Sequence, residues 1–123
     1  MYKSVSAEEA VKIIKSNDRV YIQAAAAVPL KLANAMSARY DELKNVEVCH
    51  LHTEGKALYA NPEYKESFHV NSFFIGKNVR HTLKAGNGSY TPVFLSELPL
   101  LFKRNIVDID VALIHVSIPD RHG

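Results

Sequence analysis

Ile109-Asp110-Val111-Ala112-Leu113-Ile114-His115-Val116-Ser117 is apolar at both parities of an extended chain. Successive strand residues point to opposite faces, so such a run asks for cover on two sides, as the inner strands of a parallel sheet have. It is read as a central parallel strand, with His115 as a core residue. Parallel neighbours need crossover connections, and the preceding residues supply them.

Ser6-Ala7-Glu8-Glu9 reads as a capping box, and Ala7, Ala10, Val11 and Ile14 recur at helical spacing, predicting a first helix to about Lys15. Arg19 to Gln23 is rich in β-formers and too short for a helix, so it is the first strand. Pro29 suits a first helical turn, and Leu32, Ala33, Met36, Tyr40 and Leu43 give a second helix its buried stripe. Val46 to Leu51 is the next strand, Lys56 to Ala60 a weak helical stretch, and Phe68 to Ile75 a third strand. A helix follows over Asn78 to Ala85, then a short extended segment Ser89 to Leu95 interrupted by Pro92, then a last helix capped by Ser96 and running to Lys103.

This alternation predicts an α/β fold: an open, mostly parallel sheet with helices on both faces. The 123 residues are about one domain's worth. The last strand runs into Ser117-Ile118-Pro119-Asp120-Arg121-His122-Gly123 without a following helix to cover it. Residues 1–123 are therefore expected to form a truncated domain, incomplete at its carboxyl end.

Charge and cysteine usage exclude several function classes. Fifteen basic residues face 13 acidic ones, and they are scattered, so neither a nucleic-acid footprint nor a polybasic membrane patch is expected. The lone Cys49 excludes an internal disulfide, suits a reducing compartment and sits in an apolar run that suggests a buried thiol. No basic stretch leads into a long apolar segment at the start, so the expected location is the cytoplasm.

In open parallel sheets, ligands collect beyond the carboxyl ends of the strands. Four segments there stand out: Gln23 to Pro29, a small-residue turn entering a helix; Gly86-Asn87-Gly88-Ser89-Tyr90-Thr91-Pro92; Thr53-Glu54-Gly55; and Ser117 to Gly123. The first is not a dinucleotide fingerprint, since alanines stand where glycines would be needed, and it equally suits close packing of helix on sheet. His50 and His52 alternate along a strand and would share one face, but no third metal ligand is evident, so covered, hydrogen-bonded histidines are the preferred reading. Glu54 is a single carboxylate without a visible partner, the weakest form of acid–base signal. These residues alone describe a small-molecule-binding α/β domain.

Ser89-Tyr90-Thr91-Pro92-Val93-Phe94-Leu95-Ser96-Glu97-Leu98-Pro99, followed by Asp110 to Gly123, resembles the acetyl-CoA hydrolase/transferase family, and within it the 4-hydroxybutyrate CoA-transferases. The likeness extends back through Asn78-Val79-Arg80 and the Gln23 to Pro29 turn to Ala7-Glu8-Glu9-Ala10, and so covers essentially the whole chain in order. It implies an enzyme of two similar α/β halves that moves CoA from an acyl-CoA to a small carboxylate such as acetate. Coenzyme A is then a substrate, and no metal or nucleotide cofactor is expected. A glutamate in the second half, outside this chain, would form anhydride and thioester intermediates, so no catalytic residue is assigned here. The first half would line the acyl and carboxylate pocket through Gln23, Ala24, Ala25, Val28 and Pro29, through Gly86, Asn87, Gly88, Ser89, Tyr90 and Pro92, and through Ser117. The remaining carboxyl-terminal half and a second copy of the enzyme are the expected partners. The sequence departs from the family where Ala24-Ala25-Ala26-Ala27 replaces the usual glycines after the first strand.

Three function classes follow: half of a CoA-transferase, a non-catalytic small-molecule-binding module, and a histidine-based metal hydrolase. The first is the reading the resemblance favours.

Overall fold

A computed structural model describes residues 3–122. Five strands, β1 (Arg19–Ile22), β2 (Val46–His50), β3 (Phe68–Ser72), β4 (Gly88–Tyr90) and β5 (Val111–Leu113), form one sheet in the order β4-β3-β2-β1-β5. Every pairing is parallel, with Val20 opposite Val48 and Val111, and Val70 opposite Val48 and Gly88. Helix α1 (Ala7–Ala10) precedes β1, and α2 (Leu30–Ser37), α3 (Thr82–Ala85) and α4 (Leu98–Lys103), with short 3-10 turns, make the crossovers.

Strand alternation sorts the side chains into two layers. Val20, Ile22, Val46, Val48, Phe68 and Val70 face a core completed by Val11, Ile14, Ala33, Met36, Tyr59 and Val79. On the opposite face Tyr21, Cys49 and Phe73 meet Leu98 and Phe102 of α4, and the Tyr21 and Phe102 rings meet edge to face at 5.4 Å. Helices thus lie on both faces, as expected. The rest of that second face is polar. Arg19 pairs with Glu47 at 3.1 Å, Asn71 donates to Glu47 at 2.9 Å, and Thr91 donates to Asn71 at 2.8 Å, forming a ladder across four segments.

Several elements are shorter than the sequence predicts. Ser6 caps α1 by accepting from the Glu9 amide at 3.2 Å, but the helix tightens into a 3-10 turn at Val11–Ile13 instead of reaching Lys15. There the Lys15 amide turns to the Asp18 carboxylate at 2.8 Å. Pro29 is the cap of α2 and not part of its first turn, and α2 ends at Ser37, whose hydroxyl bonds back to the Ala33 carbonyl at 2.7 Å. Leu43 is nonetheless buried, and Tyr40 stacks on Tyr64 with ring centres 4.2 Å apart. The Lys56 to Ala60 stretch is only a 3-10 turn at Leu58–Ala60. Ser96 lies inside the 3-10 turn Leu95–Glu97, and Glu97 occupies the cap of α4.

The largest correction concerns β5. Among the described residues it is an edge strand of three residues and not a central one, pairing with β1 alone. Its ladder stops at Leu113, and beyond it Ile114, His115, Val116 and Ile118 are exposed, so His115 lies outside the core of the described residues. Both parities of the run are apolar, but only Leu113 is buried.

Candidate functional site

The carboxyl ends of β2, β3 and β4 open onto two adjoining hollows that share His52. The first, about 290 Å³, is walled by Leu51, Phe73, Phe74, Tyr90, Val93 and Leu95 together with His52. The second, about 410 Å³, is bounded by Thr53, Glu54, Gly55, Lys77 and Asn78 with His52. Aliphatic and aromatic side chains line the first and residues with hydrogen-bonding side chains stand around the second, although the surface of both is mostly apolar.

The loop after β2 that carries His52 is tied down from three sides. Its carbonyl at His52 accepts from the Ala25 amide at 2.7 Å, which joins it to the turn after β1. The Asn78 side-chain amide donates to the carbonyls of Thr53 at 3.2 Å and Gly55 at 3.0 Å. Buried Thr53 meets the Tyr59 hydroxyl at 3.2 Å, and burial pushes the Tyr59 phenol up to about 12. Gly55 is required here: its φ of +83° is left-handed, and a Cβ would fall 2.7 Å from Leu30 Cδ2.

His52 itself is fixed by side chains. Its Nε2 lies 2.7 Å from Glu54 Oε1, and its ring is tilted against Phe74 with centroids 5.4 Å apart. Glu54, which has no partner discernible in the sequence, therefore has one in space. His50 behaves differently, because β2 ends at His50 and the alternation that would put both imidazoles on one face ends with it. Its ring is buried near Tyr59, Nδ1 meets the Leu51 carbonyl at 3.1 Å, and Nε2 has no partner among the described residues. Burial lowers its basicity, so it is a neutral imidazole donating through Nδ1. Among the described residues no three His, Cys, Asp or Glu side chains stand close enough to hold a metal ion. Cys49 is buried under α4, and desolvation pushes its thiol up to about 12, leaving it protonated and unreactive.

The residues singled out in the sequence divide between the two ends of the sheet. Tyr90 lines the apolar hollow at half exposure, and Pro92 follows beside a neighbouring depression shared with Tyr90 and Phe94. Ala24 and Ala25 are at the same carboxyl edge, with Ala25 at φ +55° and bonded to the His52 loop. Val28 and Pro29 are buried behind that turn. Gln23 accepts from the His115 amide at 2.7 Å and so fastens the end of β1 to the chain after β5.

Gly86, Asn87 and Gly88 are elsewhere. They lie at the amino end of β4, because the strand begins at Gly88 and the segment is not one loop. Gly86 closes α3 at φ +81°, the buried Asn87 gives its carbonyl to the Val70 amide at 2.8 Å, and Gly88 lets α3 rest on the sheet. Ser89, within β4, meets His69 at 3.0 Å on the polar face. Ser117 is exposed beyond β5 and lines neither hollow, while Gly123, the last residue of that segment, lies outside the described residues.

Leu51, Phe73, Phe74 and Lys77 are site residues that the sequence reading does not single out, while His52 enters it only as a possible metal ligand and Asn78 only within the family motif. Extending β3 to Ile75 hid Phe73 and Phe74, because Phe73-Phe74-Ile75 continues the apolar run although the ladder stops at Ser72. The Gly76-Lys77-Asn78 stretch after the aromatics is the signal that would have marked the earlier exit.

Comparison with known proteins agrees on fold and family. The chain is 37% identical over 121 residues to a 4-hydroxybutyrate coenzyme A transferase of Clostridium kluyveri, covering 98% of this chain and 28% of the relative. It is 38% identical over 118 residues to a succinyl-CoA:acetate/propanoyl-CoA:succinate CoA transferase of Fasciola hepatica, covering 94% and 24%. The chain thus spans only about a quarter of the length of these relatives. Among solved structures, a 4-hydroxybutyrate CoA-transferase from Porphyromonas gingivalis superposes with a TM-score of 0.72 at 28% identity, over 97% of this chain and 26% of that one. RipA from Yersinia pestis shares the fold at a TM-score of 0.85 and 24% identity, over 97% and 30%. The family model of the acetyl-CoA hydrolase/transferase N-terminal domain matches residues 1–123, and with these relatives it shows that the chain belongs to that family.

Proposed function

We propose that this chain is the amino-terminal part of a cytoplasmic acyl-CoA:carboxylate CoA-transferase of the acetate or 4-hydroxybutyrate type, completed by the rest of the same polypeptide and by a second copy. The observation that carries this reading is the apolar hollow at the carboxyl edge of the sheet, walled by Leu51, Phe73, Phe74, Tyr90, Val93 and Leu95. It is of a size and character to take a short acyl chain, and the relatives named above support that choice of ligand.

The chemistry of the complete enzyme is the following. A glutamate carboxylate outside residues 1–123 attacks the thioester carbonyl and expels the CoA thiolate, leaving an acyl-glutamyl anhydride. The thiolate then attacks the glutamyl carbonyl and releases the original acyl group as its carboxylate. An incoming carboxylate attacks the resulting glutamyl-CoA thioester and expels CoA again, which finally takes up the new acyl group and frees the glutamate. Each step exchanges one acyl–oxygen or acyl–sulfur bond for another, so coenzyme A enters as a substrate and no further cofactor is required. This chain contributes a wall that orients the acyl group and keeps water from the anhydride.

Incubating the full-length protein with acetyl-CoA and butyrate should yield butyryl-CoA, and mass spectrometry should find a CoA adduct on a glutamate outside residues 1–123. Release of free CoA with no adduct, or an adduct on Glu54, would overturn the assignment. The 123-residue chain alone should turn over neither substrate.

A further inference from the structure

Between Glu66 and Glu97 the chain carries no acidic residue, yet Lys77, Arg80 and Lys84 all fall there. We propose that these three side chains hold the phosphates of coenzyme A, both its diphosphate and the separate 3′-phosphate on its ribose. The inference rests on the transferase reading and adds to it a binding site and the residues that form it.

The fold turns the spacing of these residues into one strip. After β3 the chain turns tightly, the Val79 amide donating to the Gly76 carbonyl at 3.4 Å and the Thr82 amide to the Val79 carbonyl at 3.0 Å, and α3 then carries it to Ala85. Val79 and Thr82 are buried, whereas Lys77, Arg80 and Lys84, spaced three and four residues apart, are exposed. Among the described residues none of the three forms an ion pair. Cations of one sign without counter-ions of their own attract an anion, and Arg80, in the middle, has the planar fork that suits a phosphate.

The strip begins at the second hollow, which Lys77 lines together with Gly55 and Asn78. Glu54 is the one carboxylate on the wall of that hollow, and it faces His52 Nε2 at 2.7 Å, so an anion belongs on the Lys77 side. At the helical rise of about 1.5 Å per residue the strip is about 10 Å long. That is more than a single carboxylate can use, and it suits a ligand whose anionic groups stand apart. With the acyl group in the first hollow, the uncharged pantetheine arm would cross the second, whose surface is mostly apolar, and bring the phosphates to the strip.

The test compares acetyl-CoA with acetyl-dephospho-CoA, which lacks only the 3′-phosphate, as a ratio of kcat/KM in the full-length protein with butyrate as acceptor. Both substrates meet the same molecules, so a purely structural defect leaves the ratio unmoved. Lys77→Gln, Arg80→Gln and Lys84→Gln combined should lower it by about tenfold at low salt, the loss of three exposed charge contacts. Raising the salt concentration should bring the unaltered protein's ratio down towards that of the triple variant. A ratio that the triple variant leaves unchanged overturns the inference, and loss of the second copy in that variant would then assign the strip to an acidic protein surface. Should the unaltered protein transfer CoA to no carboxylate, the transferase reading fails, and calorimetry with CoA itself decides separately. Weaker binding to the triple variant than to the unaltered protein sustains the strip, and equal binding or none removes it.

Discussion

A Cβ placed on Gly88 would lie 2.1 Å from Thr82 Oγ1 and 3.0 Å from the Thr82 carbonyl carbon, so α3 rests directly on the start of β4. Thr82 is itself buried, its hydroxyl donating to the Val79 carbonyl at 2.8 Å, and has no room to retreat. Gly88→Ala should therefore destabilise the fold by about 3 kcal/mol, the upper range for overpacking. Gly86→Ala differs, because nothing lies within 4 Å of its added Cβ and only the left-handed backbone at φ +81° is strained. About 1 kcal/mol is expected there. Urea unfolding of both variants checks the order, and a Gly88→Ala midpoint no lower than that of Gly86→Ala would contradict this packing.

Tyr90, only two residues further along, should respond in the opposite sense. Its ring is half exposed and forms part of the apolar hollow, so it holds little of the core. Tyr90→Ala should cost under about 0.5 kcal/mol of stability. In the full-length protein it should change the ranking of acetyl-, butyryl- and hexanoyl-CoA by kcat/KM. Lost stability with an unaltered ranking would make Tyr90 a structural residue.

That contrast shows how far the residues could be read without coordinates. Gly86-Asn87-Gly88 and Tyr90 form one continuous composition, rich in turn-formers, yet a three-residue strand runs through it and carries its two ends to opposite edges of the sheet. Composition marks a break in helix but does not say on which side of a strand it falls. The α/β alternation, the Ser6 cap and the burial of Cys49 were legible because each depends on local spacing or on an apolar neighbourhood. The edge position of β5 among the described residues was not, since an apolar run reports a wish for cover and not whether these residues supply it. The His52–Glu54 pair was missed for another reason: it forms across a bend after β2, where neither helical nor strand periodicity applies.

His50 makes stability depend on pH near neutrality. Desolvation lowers its folded-state basicity below the ordinary value of 6.5. The unfolded chain therefore takes up a proton that the folded chain refuses, and stability present above pH 6.5 is lost as pH falls below it, by at most about 1.4 kcal/mol per pH unit. His50→Phe removes this dependence along with the unpartnered Nε2. Urea midpoints measured from pH 7.5 to 5.5 should fall for the wild type and stay flatter for the variant. Parallel curves would show that His50 titrates alike in both states.

The ladder on the polar face provides a second pH-dependent contribution, in a lower window. Burial of Glu47 would raise its carboxyl, but hydrogen bonds from Asn71 and Arg19 outweigh that and hold it below the ordinary 4.5. A carboxylate with a depressed folded-state value stabilises above the unfolded value, and that contribution is lost as pH drops from 4.5 through the folded one. Arg19 is chiefly raised by the same hydrogen bond to Glu47, so the two directions agree. Both side chains keep about a third of their surface in water, 34% and 28%, so their coupling is screened and should be about 0.5–1 kcal/mol. Arg19→Met should cost more than that, about 2 kcal/mol, because Arg19 also donates to the Asp108 carbonyl at 3.0 Å and its loss leaves Glu47 half-buried with Asn71 alone. Adding Glu47→Gln to Arg19→Met should then recover part of the loss, since it removes the unpaired charge, and should flatten the fall in stability below pH 4.5. A double mutant as unstable as the sum of the singles would mean that Arg19 and Glu47 hold the sheet independently.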